Sequence, residues 1–261
     1  MYDTLATPSH ILVTGASSGI GAALARRYAG PDIRLTLVGR DRGRLDAVAH
    51  ACKTRGAETA IGVCDVRDAE RMRAFIEGAD GELPIAMVIA NAGIGGEQVI
   101  AGPSGETAEI ARAIFEINVV GVVNTITPIL PRLVARGKGH IVIMSSLAAF
   151  IPLPDAPAYS ASKAAVRIYG EALRRLLAPR NVRVSVVCPG FVNTPMSASL
   201  AGPRPLLWSA ERAADAIIAG LARGKKEICF PWQLEMLARM SAHLPPGIVQ
   251  RLRRGIRNRS Q

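Results

Sequence analysis

Short apolar, β-rich runs alternate along the chain with amphipathic stretches, and this rhythm restricts the fold more than any other feature. HILVT leads into a helical pattern from Gly19 to Tyr28, then IRLTLVG, a helix near Arg42 to Arg55, and TAIGVCD. The alternation continues through a helix near Ala69 to Glu77, PIAMVIAN, a long helical stretch from about Thr107 to Arg136, HIVIMS, a helix from Ala158 to Ala178, and VRVSVVC. Strands read as near-continuous hydrophobic runs when helices cover both faces of a parallel sheet. Repeated βα units with short connections therefore predict an α/β fold: a doubly wound parallel sheet of about seven strands with helices on both faces. After Cys188 the rhythm breaks into a Pro/Gly/Ser-rich loop, Pro189 to Trp208, before a helix from Ala210 to Ala222 and a last strand near Glu227 to Phe230. So long an irregular segment inside a compact domain is either disordered or a functional lid.

No linker, repeat or composition shift cuts the chain before residue 223, so residues 1–222 read as one domain. Residues 223–261 supply the last strand and a basic amphipathic tail on or near it. A chain of 261 residues with 49% hydrophobic and 20% charged residues excludes disordered and fibrous classes. Cys52, Cys64, Cys188 and Cys229 show neither CxxC nor Cys/His spacing, which predicts reduced thiols, no disulfide framework and no metal site. The first residues lack a basic n-region and an apolar h-region, so no signal peptide is expected and the protein is assigned to the cytoplasm. The longest charge-free stretch, Val184 to Pro203, is interrupted by Pro189, Gly190, Asn193 and Pro195 and reads as strand and loop, not a membrane span. Of the net charge of +11, most lies in residues 223–261, with nine Lys/Arg against two Asp/Glu. The basic character belongs to the tail, which has no aromatic interleaving and no recognition motif, so no nucleic-acid partner is expected.

Two constellations carry chemistry. The first strand runs into Thr14-Gly15-Ala16-Ser17-Ser18-Gly19-Ile20-Gly21 and then a helix. Glycines at such a turn let the backbone approach a pyrophosphate, and the open N–H groups and dipole of the helix favour the anion. In Tyr159-Ser160-Ala161-Ser162-Lys163, the i, i+4 spacing puts a phenol and an ammonium on one helix face. A neighbouring cation would bring the phenol, which titrates near 10 unperturbed, toward use as an acid/base. Ser146 lies at the carboxyl end of HIVIMS, where ligands bind in open α/β sheets.

Together with Asn91-Ala92-Gly93, Asn118 and Cys188-Pro-Gly-Phe-Val-Asn-Thr, these residues resemble the short-chain dehydrogenase/reductase family over nearly the whole chain to about residue 222. The resemblance implies a Rossmann-type fold and a nicotinamide-dependent oxidoreductase that interconverts a small-molecule carbonyl and an alcohol. It implies Tyr159 as proton donor/acceptor, Ser146 as hydrogen-bond partner of the substrate oxygen, Lys163 bridging cofactor ribose and tyrosine, and Asn118 holding a water in the relay. It also implies cofactor contacts from Gly15, Ser17, Ser18, Gly19, Ile20 and Gly21, from Asp65 and Val66 beside the adenine, and from Asn91, Ala92 and Gly93 behind the ribose. Pro189, Gly190, Val192 and Thr194 would surround the nicotinamide carboxamide. Taken singly, Asp65 also reads as a helix cap and Asn118 as a satisfied mid-helix polar residue. Family members pair their long helices across two-fold axes, which implies a homodimer or homotetramer. A non-catalytic nicotinamide-binding regulator or scaffold on the same fold is the alternative, and an intact Ser146, Tyr159 and Lys163 speaks for the enzyme.

Cofactor choice rests on Leu37-Val38-Gly39-Arg40-Asp41. An acid at the end of the second strand would bind the ribose of NAD(H), whereas arginine can pair with a 2′-phosphate. Gly39 stands where the acid is expected and Arg40 follows, predicting NADP(H) over NAD(H), while a one-residue shift would bring Asp41 to the ribose. Specificity is expected from Leu147 to Ala158, the loop after Gly190, and the tail. Phe150, Ile151, Leu153, Phe191, Met196, Leu200, Leu206, Leu207 and Trp208 there suggest an apolar, lipid-like substrate. The tail joins apolar anchors (Trp232, Leu234, Met236, Leu237, Met240, Leu244, Ile248, Leu252) to a cluster of arginines. It suits a segment lying on an anionic membrane, a cover over the substrate, or a helix packed on the domain or a neighbouring subunit.

Overall fold

The computed structural model describes residues 8–95, 105–198, 200 and 203–241. Seven parallel strands form one sheet: β1 (His10–Thr14), β2 (Arg34–Gly39), β3 (Glu58–Val63), β4 (Met87–Ala90), β5 (Gly139–Met144), β6 (Val182–Pro189) and, late in the chain, β9 (Glu227–Phe230). Their order is β3-β2-β1-β4-β5-β6-β9. The chain winds outward from β1 in one direction and from β4 in the other, so the carboxyl ends of β1 and β4 flank a crevice. Beside the sheet, β7 (Val192–Asn193) pairs with β8 (Trp208–Ser209), and the short α8 (Pro195–Ala198) lies between them in the chain.

Alternate residues of each strand feed two separate cores, as the pleat requires. Ile11, Val13, Leu35, Leu37 and Val142 point to the face covered by α1 (Gly19–Tyr28), α2 (Arg42–Lys53) and α9 (Ala210–Ala222). Leu12, Val38, Val88, Ile141 and Ile143 point to the face covered by α3 (Ala69–Glu82), α5 (Gly121–Ile126), α6 (Leu130–Arg136) and α7 (Pro157–Leu177). Both faces being dry explains why the strands read as unbroken apolar runs.

The long helix expected from Thr107 to Arg136 is interrupted. α4 (Ala108–Phe115) passes into a π-helical turn at Glu116–Val120 and then α5; Pro128 and Pro131, which lack N–H donors, fall where α5 gives way to α6. Ala108–Arg136 is the one run among the described residues long and apolar enough to cross a membrane, and it packs against α3 and α7. Asp80, buried on α3, ties this layer together: its carboxylate accepts from Arg136 (2.9 Å), Arg132 (3.2 Å) and the Ile85 amide (2.8 Å).

The last described helix, α10 (Trp232–Ser241), packs on the 3₁₀ turn Leu147–Phe150 and on β9. Arg239 fastens it. Its guanidinium donates to Glu227 on β9 and to Glu235 (3.0 Å), and it stacks 4.5 Å above the Phe150 ring, opposite Arg167 at the same distance. Glu227, Cys229 and Glu235 converge closely enough to resemble a metal-ligand group, but the cation among them is Arg239. All four cysteines are free thiols. The tail anchors Leu244, Ile248 and Leu252 and the closing arginines lie outside the described residues.

Candidate active site

The turn after β1 needs glycine for two different reasons. Gly15 has φ +65°, a conformation L side chains rarely adopt, and a Cβ on Gly21 would lie 2.4 Å from the Gly15 carbonyl oxygen. The Ser18 side chain makes no capping bond and the first turn of α1 carries no acid, so the helix opens on unclaimed N–H groups and a positive dipole end. A backbone cradle of this kind fits a pyrophosphate. Asn91 braces it: its Nδ2 donates to the Thr14 carbonyl (3.0 Å), and the Thr14 hydroxyl accepts from the Asn91 and Ala92 amides (3.1 and 3.2 Å). The Thr194 methyl sits 3.0 Å from where a Gly19 Cβ would be, so the segment after β6 closes over the turn.

A continuous cleft of about 1080 Å³ runs from this cradle across the carboxyl ends of the strands. Gly15, Ser17, Ser18, Gly19, Ile20, Arg40, Asp65, Val66, Asn91, Ala92 and Gly93 line it, as do Ser146, Tyr159, Lys163, Pro189, Gly190, Val192 and Thr194. Of the candidate catalytic and cofactor residues, Gly21 and Asn118 do not line it; Gly21 packs beneath Gly15. Asn118, fully buried in the π-helical turn, accepts from the Ile94 amide through Oδ1 (2.8 Å), and its Nδ2 donates to the Ile94 carbonyl (3.1 Å) and to Ser162 (3.2 Å). Its side chain is thus occupied in pinning the segment after β4 to α7.

At the centre of the cleft, Tyr159 and Lys163 lie one turn apart on α7. Ser146 Oγ accepts from the Ala148 amide (3.1 Å) and donates to the Pro189 carbonyl (3.4 Å), beside Tyr159 in the cleft. Lys163 Nζ sits 5.8 Å from the Tyr159 ring centroid and donates to the Met144 carbonyl (3.2 Å). Ser145 Oγ donates to the Lys163 carbonyl (2.8 Å), locking α7 to the end of β5. Burial pushes the Tyr159 phenol above its ordinary value, with the neighbouring Ser146 hydroxyl opposing, and pushes the Lys163 ammonium down to about 8. The expectation that the lysine charge lowers the phenol is therefore not what governs this pair: desolvation outweighs a cation held nearly 6 Å from the ring.

At the end of the cleft lined by Gly39 and Arg40, the Asp41 carboxylate is occupied. It caps α2 by accepting from the Arg44 amide (3.0 Å), and its other oxygen pairs with Arg44 Nε (2.7 Å). Arg40 and Arg44 both face the cleft. Asp65 is no helix cap, since Asp68 caps α3; Asp65 instead pairs with Arg67 (2.8 Å), whose side-chain hydrogen bond holds the carboxyl below its usual range.

The far end of the cleft is apolar. Ile151, Leu153, Phe191, Met196 and Leu200 line it as expected, while Phe150, Leu206, Leu207 and Trp208 do not. Phe150 lies between Arg167 and Arg239, Trp208 stacks on Phe230 at 4.9 Å, and Leu206 and Leu207 face solvent. Reasoning from the loops overlooked Ile94 and Arg204, and it left Leu234 and Leu237 of α10 among several roles for the tail; all four line the cleft.

A profile of short chain dehydrogenases matches residues 9–204. An uncharacterized oxidoreductase of Myxococcus xanthus is 37% identical over 250 residues, covering 94% of this chain and 96% of its own. A short-chain dehydrogenase from Sphingobium yanoikuyae, solved in complex with NADPH, superposes with a TM-score of 0.77 at 29% identity over 95% of this chain and 96% of the other. One from Burkholderia phymatum, solved with NAD, reaches 0.80 at 24% identity over 88% and 91% of the two chains, a likeness of fold.

Proposed function

Since the chain belongs to the short-chain dehydrogenase/reductase family, we propose that it interconverts an apolar ketone or aldehyde and its alcohol with NADP(H), Tyr159 serving as proton donor and acceptor. The observation that carries this reading is the convergence of Tyr159, Lys163 one helical turn away and Ser146 inside the cleft that begins at the glycine cradle.

A nicotinamide held in this cleft supplies or accepts a hydride at the carbonyl carbon. The chain's own residues handle the oxygen. Ser146 Oγ donates a hydrogen bond that orients the carbonyl oxygen, and Tyr159 gives it a proton as negative charge develops. In the reverse direction the phenolate takes the hydroxyl proton. Lys163 stabilises the phenolate and would donate to the ribose of a bound cofactor. Asn118 acts indirectly by holding the segment at Ile94 against Ser162 of α7. Gly15 to Gly21 with Ser17 and Ser18 would hold the pyrophosphate, Asp65 and Val66 the adenine, Asn91 to Gly93 the ribose, and Pro189 to Thr194 the carboxamide.

NADP(H) is favoured over NAD(H) because Asp41, the acid that could bind the ribose, is committed to Arg44 and the α2 cap, while Arg40 remains at the cleft. Direct titration of both reduced cofactors tests this. NADPH should bind at least about tenfold tighter, and Arg40→Ala should remove most of that margin; equal affinities in the unaltered protein would overturn it.

The substrate end, walled by Leu153, Met196, Leu200, Leu234 and Leu237, supports bulky apolar carbonyls over sugars. Turnover of a panel spanning both classes decides that point. Exposed Phe115 and Val120 near the π-helical turn, with Ile168 and Leu176 on α7, give an outward apolar surface suited to a homodimer or homotetramer in the cytoplasm. Sedimentation at micromolar concentration should show at least a dimer, and a monomer would refute it.

A further inference from the structure

α10 presents apolar side chains on two sides. Leu234 and Ala238 face inward, and Arg239 ties the helix to Glu227 and Phe150. Outward, Trp232, Met236 and Met240 recur every four residues on one face and are 65, 52 and 56% exposed; Leu237, 44% exposed, extends the stripe to the rim of the cleft, where Met196 is exposed as well. The Arg239 contacts fix the orientation of this face relative to the sheet. A contiguous apolar face of this kind marks contact with a second apolar phase.

Charge decides which phase. The twenty residues that follow, 242–261, contain five arginines and no aspartate or glutamate. Two copies meeting through this face would bring two such segments together, and like charges oppose that contact. An anionic lipid surface accommodates both features: tryptophan and methionine at the acyl boundary, and arginine among the headgroups.

We propose that α10 docks the protein peripherally on an anionic bilayer, drawn there by the basic composition of the sequence that follows it, with the cleft rim at Leu237 and Met196 turned toward the lipid. Docking stands on the helix face and the charge alone. Its consequence, that an apolar carbonyl substrate enters from the bilayer, rests on the reductase reading given above.

The test is co-sedimentation of the full chain with vesicles of phosphatidylcholine, and of phosphatidylcholine mixed with phosphatidylglycerol, at low and high salt. Binding is expected to the mixed vesicles only, to weaken steeply with salt, and to fall roughly fivefold for each of Arg251, Arg253 and Arg254 changed to Gln. Trp232→Ser with Met236→Ser and Met240→Ser should abolish it while NADPH affinity is unchanged. In the unaltered protein, mixed vesicles should shift tryptophan emission to shorter wavelength, and Trp232→Phe should remove the shift, a readout that survives if the triple variant folds poorly. The proposal fails if the full chain ignores anionic vesicles, if the triple variant sediments undiminished, or if its only defect is dissociation of a dimer formed without lipid. Turnover of a water-soluble ketone without vesicles reports the reductase reading separately, so either can fail without the other.

Discussion

Burial moves Tyr159 and Lys163 in opposite senses, the phenol upward and the ammonium down to about 8, and this fixes how the free enzyme responds to pH. A phenol that keeps its proton is ready to donate it, so carbonyl reduction needs no prior ionisation. The kcat/KM for the reduced cofactor, which reports the free enzyme, should stay level through neutrality and decline above about pH 8 as Lys163 loses its charge. Alcohol oxidation at saturating cofactor should instead climb with pH, because its base is the scarce phenolate; a profile flat from pH 6 to 10 in both directions would contradict these assignments. Backbone space makes an equally local prediction. A Cβ on Gly21 would meet the Gly15 carbonyl oxygen and Asn91 Nδ2, so Gly21→Ala should weaken cofactor binding by about tenfold or more through displacement of the cradle, read by titration. At this scale the sequence was most informative where chemistry is local: the glycine turn and the Tyr159/Lys163 pair are each set by spacing within one segment. The commitments of Asp41 to Arg44 and of Asn118 to Ile94 and Ser162 were not legible. Short polar side chains look the same in sequence whether they face a ligand or a neighbouring backbone.

Among the elements, α10 shows how a surface segment shapes a site it does not belong to in sequence. Leu234 and Leu237 wall the cleft only while Arg239 holds the helix to Glu227 and Phe150. Arg239→Ala removes the ion pairs and the stacking together. Because these groups are partly exposed, the global stability cost should be only about 1 kcal/mol. The KM for a bulky apolar substrate should nevertheless rise severalfold while the Kd for NADPH stays fixed; a substrate KM unchanged by this replacement would show that α10 does not define the pocket. Strands and most helices were legible because burial on both sheet faces leaves continuous apolar runs. The exception is the Ala108–Arg136 stretch, where apolar periodicity runs through the π-helical turn and past Pro128 and Pro131, so the pattern reports burial but not the breaks.

For the molecule as a whole, two buried polar groups set limits on stability that the active site does not share. Asp80 holds Arg132, Arg136 and the Ile85 amide, and Asp80→Ala should cost about 1–2 kcal/mol in a denaturant titration, chiefly by leaving the buried Ile85 amide unpaired, since both arginines reach solvent. His140 is buried with Nε2 bonded to Ser185 (3.0 Å) and no partner at Nδ1, and burial with Arg183 nearby lowers it to about 3. Below pH 6.5 the unfolded chain takes up a proton that the folded one refuses, so folding should weaken up to tenfold per pH unit between about 6.5 and 3. His140→Gln should flatten that acid limb. The central claim, however, is that the assembled cleft reduces carbonyls by proton donation from one phenol. Its most direct test is steady-state NADPH oxidation with a bulky apolar ketone, by the unaltered protein and by Tyr159→Phe, with NADPH affinity measured on both. We expect turnover to fall by about 10² or more in the variant with cofactor affinity nearly unchanged; a variant that turns over at close to the original rate would contradict the account.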